Sequence, residues 1–235
     1  SRTVPLVSKV CNVRMVPLAT DIITAEITGR PSPIEDMKEK VIPNYGVKEA
    51  AFPFNMFQEV DPILGPEMRS TGEVLGMSKS YGEAFYKAQE AIQSTLPMEG
   101  TVLFSVNDRD KAEAVEVAKI FADDGFKIVA TGRTYDRIVE AGIPATKVKK
   151  LMEGRPNIND MIANGEIQFV VNTPIDKSSM QDDSYLRKAA IKAKVPYFTT
   201  VVAAKATAEG IHYVKTHETS EVKSLQELHA EIHDK

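Results

Sequence analysis

The 235-residue sequence has one cysteine, Cys11. No internal disulfide can form and no cysteine metal cluster can be built, so a reducing, cytoplasmic setting is the simplest expectation. Cations are not in excess either: 29 Lys and Arg stand against 33 Asp and Glu, a formal charge of −4. A general nucleic-acid binder needs surplus cations to displace counterions, so the balance argues against that class, although not against a local basic pocket for one phosphate. No apolar run reaches the roughly 18 residues that would span a bilayer. The opening Ser-Arg-Thr-Val-Pro is not a signal peptide. It also lacks an initiator methionine, which leads us to expect a section of a longer chain or a processed product. What is present is a globular mixture, 43% hydrophobic and 26% charged, able to bury a core in one large domain or two small ones.

The two halves differ in pattern. Residues 1–95 are punctuated by proline, which keeps regular elements short. Leu6–Thr28 reads as a helix broken near Pro17, and Ser78–Gln93 as a helix with Ala84, Phe85, Ala88, Ala91 and Ile92 on one face. Val47–Phe54 and Ser70–Leu75 read as strands. Residues 96–100 read as a linker. Beyond it short apolar strands alternate with helices: Thr101–Val106, Phe126–Ala130, Thr146–Leu151, Ile167–Asn172 and Tyr197–Val201 are strands. Asp110–Asp124, Arg133–Ala141, Ile158–Asn164, Ser184–Ala193, Val202–Glu209 and Leu225–His233 are helices, three of them followed by a glycine stop. Fully apolar strands separated by helices imply an α/β fold with a doubly wound, Rossmann-like parallel sheet of five strands, preceded by an α+β unit.

Ligands of such sheets sit beyond the carboxyl ends of the strands, where strand order reverses. The polar residues of the second half gather there. Ser105 closes the first strand, with Asn107, Asp108 and Lys111 beyond it. Thr131-Gly132-Arg133-Thr134 follows the second strand, and Lys147, Lys149 and Lys150 lie near the third. Asn172 and Thr173 end the fourth, and Thr199 and Thr200 the fifth. A glycine between two threonines at a strand-to-helix turn presents free N–H groups and a helix dipole to an anion. Singly, each hydroxyl or glycine is an ordinary cap or turn residue. Together they describe a phosphate or carboxylate pocket with groups suited to a sugar or base.

Several runs carry a resemblance to a known family. In the first half these are Ser-Arg-Thr-Val-Pro at 1–5, Val-Lys-Glu at 47–49, Pro-Phe-Asn at 53–55 and Leu-Gly-Pro-Glu-Met-Arg-Ser-Thr-Gly-Glu-Val at 64–74. In the second they are Leu-Phe-Ser-Val at 103–106 with Lys111, Ala-Thr-Gly-Arg-Thr at 130–134, and Glu-Gly-Arg-Pro at 153–156 followed by Ile158 and Asp160. The chain resembles the C-terminal end of the large subunit of carbamoyl phosphate synthetase over essentially its whole length. Residues 1–95 look like the closing part of the second ATP-grasp unit, and 96–235 like the methylglyoxal-synthase-like allosteric domain.

The resemblance implies an ATP-dependent ligase that makes carbamoyl phosphate from bicarbonate, glutamine-derived ammonia and two ATP, feeding pyrimidine and arginine synthesis. It implies ATP and magnesium as cofactors of the full-length enzyme and none for these residues alone. The family's Glu-x-Asn-Pro-Arg metal-binding stretch would lie just before Ser1, so no catalytic residue or metal ligand is expected within the chain, and the chain alone is expected to be inactive. The allosteric domain of the bacterial family binds UMP and IMP; Ser105, Lys111, Thr131, Thr134, Lys150 and Asn172 match its nucleotide-contacting positions, and Asp182 falls on one by spacing. Two departures matter: Arg133 stands where the family's turn usually has glycine, and Pro174 replaces a hydroxyl residue. A second, ornithine-like effector site is implied by Glu49 on one side and Tyr197 and Thr199 on the other. Implied partners are the remainder of the large subunit, the glutaminase small subunit and possible further copies of the chain, with neither nucleic acid nor membrane.

Other readings carry less. His229 and His233 at i and i+4 lack the His-Glu-x-x-His signature, and the terminal helix is expected to fray. Cys11 reads as a small buried hydrophobe. A stand-alone lyase resembling methylglyoxal synthase would need an acidic base in a Gly-Gly-Asp-Gln-like loop, where this chain has Glu-Gly-Arg-Pro-Asn-Ile-Asn-Asp and Asn-Thr-Pro-Ile-Asp. The cyclohydrolase domain of purine synthesis shares the Ser-Val and Thr-Gly-x-Thr pattern without the preceding ATP-grasp tail. A pure assembly module remains an alternative, compatible with ligand binding.

Overall fold

A computed structural model describes residues 3–52, 67–68, 70–92, 95–173, 180–217 and 222–235, without the side chains of 180–183. The first half begins with α1 (Thr3–Cys11) and α2 (Met15–Thr28). The break precedes Pro17: Asn12 takes a left-handed backbone, φ 49°. Pro17 is then the third residue of α2, where a missing N–H loses no helical bond. Cys11 is half-buried, not enclosed as expected.

Next come β1 (Lys40–Val41), β2 (Tyr45–Ala51), β3 (Gly72–Ser78) and α3 (Tyr81–Ala91). β2 and β3 pair antiparallel, Glu49 opposite Val74. The expected helix from Ser78 starts three residues later, because the β3 ladder holds Ser78 opposite Tyr45. Pro53 and Phe54, the end of the expected strand, lie outside the described residues. α3 is wedged between two surfaces. A Cβ on Gly76 of β3 would lie 2.0 Å from the Ala84 carbonyl oxygen, and one on Gly82 would lie 2.8 Å from that of Glu209. Glycine at both positions is what lets backbone meet backbone on either side of the helix.

The second half holds β4 (Thr101–Ser105), α4 (Lys111–Asp123), β5 (Lys127–Thr131), α5 (Gly132–Glu140) and β6 (Ala145–Val148). It continues with α6 (Ile158–Ala163), β7 (Phe169–Asn172), α7 (Met180–Lys192), β8 (Tyr197–Phe198) and α8 (Val201–Thr216). The five strands form a sheet of order β6-β5-β4-β7-β8, every adjacent pair parallel. Within each apolar strand, residues alternate between the two faces. Val102, Phe104, Ile128, Ala130, Phe169 and Val171 pack against α4, α5 and α8. Leu103, Val129 and Val170 pack against α6 and α7. Phe121, fully buried on α4, lies 5.2 Å from Phe126 and 5.6 Å from Phe169, ring centre to ring centre. Burial on both faces is why these strands read as unbroken apolar runs.

Three expectations need correction. Leu96, placed in the linker, is 2% exposed and belongs to the core of the parallel sheet. The fifth strand stops at Phe198, and the following helix runs to Thr216 rather than Glu209, with Thr200 as its cap: the Ala203 N–H donates to Thr200 Oγ1, 3.2 Å. The terminal helix is not frayed. α9 (Leu225–Ala230) ends early, and β9 (His233–Asp234) pairs with β1 across the two halves. His229 Nε2 reaches the Lys9 carbonyl oxygen at 2.5 Å, and the Lys235 N–H donates to the Glu39 carbonyl at 2.8 Å. No helix among the described residues is long and apolar enough to cross a membrane.

Candidate functional site

Strand order reverses between β4 and β7, and at their carboxyl ends Ser105 lies directly opposite Asn172. Neighbouring strand ends complete the floor. The Thr131 hydroxyl, closing β5, donates to Ser105 Oγ, 3.0 Å. Asn172 Nδ2 donates to the Tyr197 hydroxyl on β8, 2.7 Å. Ser105, Thr131, Asn172 and Tyr197 thus form a polar row across four adjacent strands, with Thr131 and Asn172 buried.

Thr131 also occupies the cap position of α5, yet its side chain makes no cap hydrogen bond. Its hydroxyl is directed to Ser105 instead, which leaves the first N–H groups of α5 toward the strand ends, with Gly132 at φ +44° making the turn. Thr134, expected to meet a ligand, also contacts backbone. Its hydroxyl lies 3.3 Å from both the N–H and the carbonyl of Val106, clamping α5 to the end of β4. The loop after β4 is held likewise: Asn107 N–H donates to the buried Thr173 hydroxyl at 3.0 Å, and Asn107 Oδ1 accepts from the N–H groups of Arg109 and Asp110.

Cations lie on the elements that follow or neighbour these strands. The Lys111 side chain, 11% exposed, is paired with Asp108, and the other Asp108 oxygen meets Arg133 Nη2 at 2.9 Å. Lys111 first and Arg133 second hold the Asp108 carboxyl below its usual range. Lys147 pairs with Asp136 at 3.5 Å, and Lys149 reaches the Arg155 carbonyl at 3.4 Å. Lys150 begins the turn Leu151–Glu153 just past β6, whose Val148 lies opposite Thr131. Its N–H donates to Glu153, and its ammonium has no ion-pair partner among the described residues. At this end of the sheet lie Lys150 just past β6, an α5 start that Thr131 does not cap, and two cations held by one carboxylate, features that suit an anion.

The structure therefore gathers Ser105, Thr131, Asn172, Lys111 and Lys150 at one end of the sheet and sets Thr134 against the Val106 backbone. Asp182 lies in α7 with its side chain outside the description, and Pro174 is outside the described residues. The expected second site is less assembled. Glu49 accepts from Gln89 Nε2 of α3 at 3.1 Å, and burial pushes its carboxyl pKa up. Tyr197 is engaged with Asn172, and Thr199 is exposed just ahead of α8. Asp108 is what sequence reasoning missed as a partner. Its spacing to Lys111 was readable as an i, i+3 pair, but its contact with Arg133 is made only by the fold.

A cavity of about 880 Å³ opens elsewhere, between β3, α3, the end of α8 and the terminal segment. It touches none of the strand-end residues, and its central carboxylate, Glu83, is already paired with Lys87 at 2.8 Å. No group of three or more His, Cys, Asp or Glu among the described residues could hold a metal ion.

Residues 113–199 match the family model described as "MGS-like domain". A carbamoyl phosphate synthase large chain from Gemmatimonas aurantiaca is 47% identical over 230 residues, covering 97% of this chain and 21% of that one. A carbamoyl phosphate synthase large chain, C-terminal section, from Aquifex aeolicus is 44% identical over 248 residues, covering 97% of this chain and 46% of that one. Among solved structures, a methylglyoxal synthase from Elizabethkingia anophelis NUHP1 aligns at a TM-score of 0.41 and 23% identity, covering 55% of this chain and 89% of that one. The chain spans about a fifth of the first relative's length and under half of the second's.

Proposed function

The chain belongs to the family of carbamoyl phosphate synthase large chains, matching their C-terminal section, and on that footing we propose that it is the effector-binding end of such an enzyme. Residues 1–95 are read as the closing part of an ATP-grasp unit and 96–235 as the allosteric domain. The whole enzyme would consume ATP, with magnesium, to make carbamoyl phosphate with glutamine as the nitrogen source, in the cytoplasm, for pyrimidine and arginine synthesis. The rest of the large subunit and a glutaminase subunit would be its partners. These 235 residues would supply regulation and not catalysis.

The effector proposed is a nucleoside monophosphate, UMP or IMP, at the carboxyl ends of β4, β5 and β7. One observation carries this: the polar row at the strand-order reversal has beside it an α5 start that Thr131 does not cap, and Lys150, free of ion pairs among the described residues, follows the neighbouring strand β6. Phosphate at the start of α5 would take N–H donors there, and Lys150 would add a charge-assisted bond. Ser105, Thr131 and Asn172 would orient sugar or base. The methylglyoxal-synthase-like lyase reading has no comparable support, and assembly can coexist with ligand binding.

Titration calorimetry with UMP and IMP tests the reading. Lys150→Ala should weaken binding at least tenfold, since a charge-assisted hydrogen bond contributes roughly 1.5–3 kcal/mol and roughly 1.4 kcal/mol is a factor of ten. Lys119→Ala, an exposed change on α4, should leave it unaltered. Failure of the parent chain to bind either nucleotide at millimolar concentration sinks the effector reading. Binding that Lys150→Ala does not weaken leaves the site but removes Lys150 from it.

A further inference from the structure

We propose that Asp108 is a built-in stand-in for the effector's phosphate, competing for the cations Lys111 and Arg133 so that a ligand binds by displacing it. This rests on the nucleotide-site reading above. The loop from Val106 to Asp110 sets one carboxylate between two cations on different helices: Lys111 at the start of α4 and Arg133 at the start of α5. Neither cation has another ion-pair partner among the described residues. Two oxygens shared between two cations beside an uncapped helix start is the arrangement an anionic ligand would itself adopt there.

The loop is built so that the side chain can leave without unfolding it. Its backbone is anchored by Asn107, through Thr173 and through the N–H groups of Arg109 and Asp110, none of which involves the Asp108 carboxylate. The Asp108 side chain is 58% exposed, so water can take its charge once it swings out. Lys111 is the more enclosed partner. Without Asp108 it would stand as a nearly buried, uncompensated ammonium whenever no anion is bound. Asp108 therefore performs two tasks: it neutralises Lys111 when no anion is bound and raises the ligand concentration needed to fill the site. Arg133 is the second arm of the same device, which gives the unusual arginine of the turn a role.

The test is titration of the 235-residue chain with UMP, IMP and inorganic phosphate. Asp108→Asn should tighten the nucleotides and phosphate by roughly three- to tenfold, the scale of losing one exposed ion pair, with Arg133, and one half-enclosed pair, with Lys111, from the competing state. Asp108→Ala should do the same. Asp136→Asn removes an equal charge from α5 without touching Lys111 or Arg133 and should change affinity less than twofold. In an Arg133→Ala background the gain from Asp108→Asn should shrink. Equal or weaker binding by Asp108→Asn, with the parent binding measurably, overturns the displacement idea and leaves the nucleotide site standing. So does an equal gain from Asp136→Asn, which would mark a general field effect. Absence of binding in parent and variants alike removes the site reading and this inference with it.

Discussion

Replacing Gly76 by alanine tests how tightly the two halves are packed through α3. The added Cβ would lie 2.0 Å from the Ala84 carbonyl oxygen and 2.7 Å from the Ala88 nitrogen. Both are backbone atoms in the middle of a helix, so no side chain can swing aside. The helix would have to retreat from β3 by roughly 1 Å to restore ordinary contact distances. It has little room, because its other side rests on α8: a Cβ on Gly82 would already meet the Glu209 carbonyl at 2.8 Å, and one on Gly210 the Gly82 carbonyl at 3.0 Å. Overpacking costs about 1–3 kcal/mol when neighbours can adjust, and a helix clamped on both faces belongs at the upper end. For a chain of this size each kcal/mol lowers Tm by about 2–4 °C, so a fall of roughly 6–12 °C is expected in thermal denaturation followed by circular dichroism. UMP affinity of the folded variant should be unchanged, since the strand-end site shares no residue with the α3 contact. A fall below about 2 °C would refute the clamped-helix argument. A large loss of nucleotide affinity in the folded variant would show that the packing and the site are linked, contrary to the geometry.

Three further outcomes are expected. Phe121→Ala removes the centre of an aromatic cluster that includes Phe126 and Phe169, and should cost about 3–5 kcal/mol in urea denaturation; a loss under about 1 kcal/mol would mean the cluster collapses without strain. Glu49 binds its proton more tightly in the folded chain than in the unfolded one, because burial raises its pKa. Its favourable contribution is complete below the ordinary glutamate pKa and is lost as pH rises through the raised value. Glu49→Gln should therefore raise Tm at neutral pH, with the gain vanishing as the solution is acidified through that raised value, and a gain independent of pH would exclude burial of the charge as its cause. Deleting residues 224–235 removes β9, the His229 contact to Lys9 and the Lys235 contacts to Glu39. Hydrogen exchange should accelerate at Lys40 and Val41 while the parallel sheet stays protected, and unchanged exchange there would deny the terminal segment its role as a strap.

The strand and helix alternation of residues 100–235 was legible in the sequence because a sheet buried on both faces demands unbroken apolar strands, and such runs separated by amphipathic helices fit few other folds. The gathering of polar residues at one end of that sheet followed, since parallel strands deliver Ser105, Thr131 and Asn172 to the same edge by construction. Element boundaries were harder. Ser78 reads as the start of a helix by periodicity but belongs to β3 through its ladder with Tyr45, a pairing 33 positions away. The same limit hid the terminal strap, because His233 and Asp234 carry no strand pattern and pair only because β1 is brought beside them. It also hid the contacts of Thr134 with the Val106 backbone, which join α5 to the end of β4. Sequence spacing alone determined that Asp108 and Lys111 can meet at the start of α4. Only the tertiary structure, by laying the start of α5 beside that loop, decided that Arg133 completes the pair, because a contact between helices depends on strand order and not on distance along the chain.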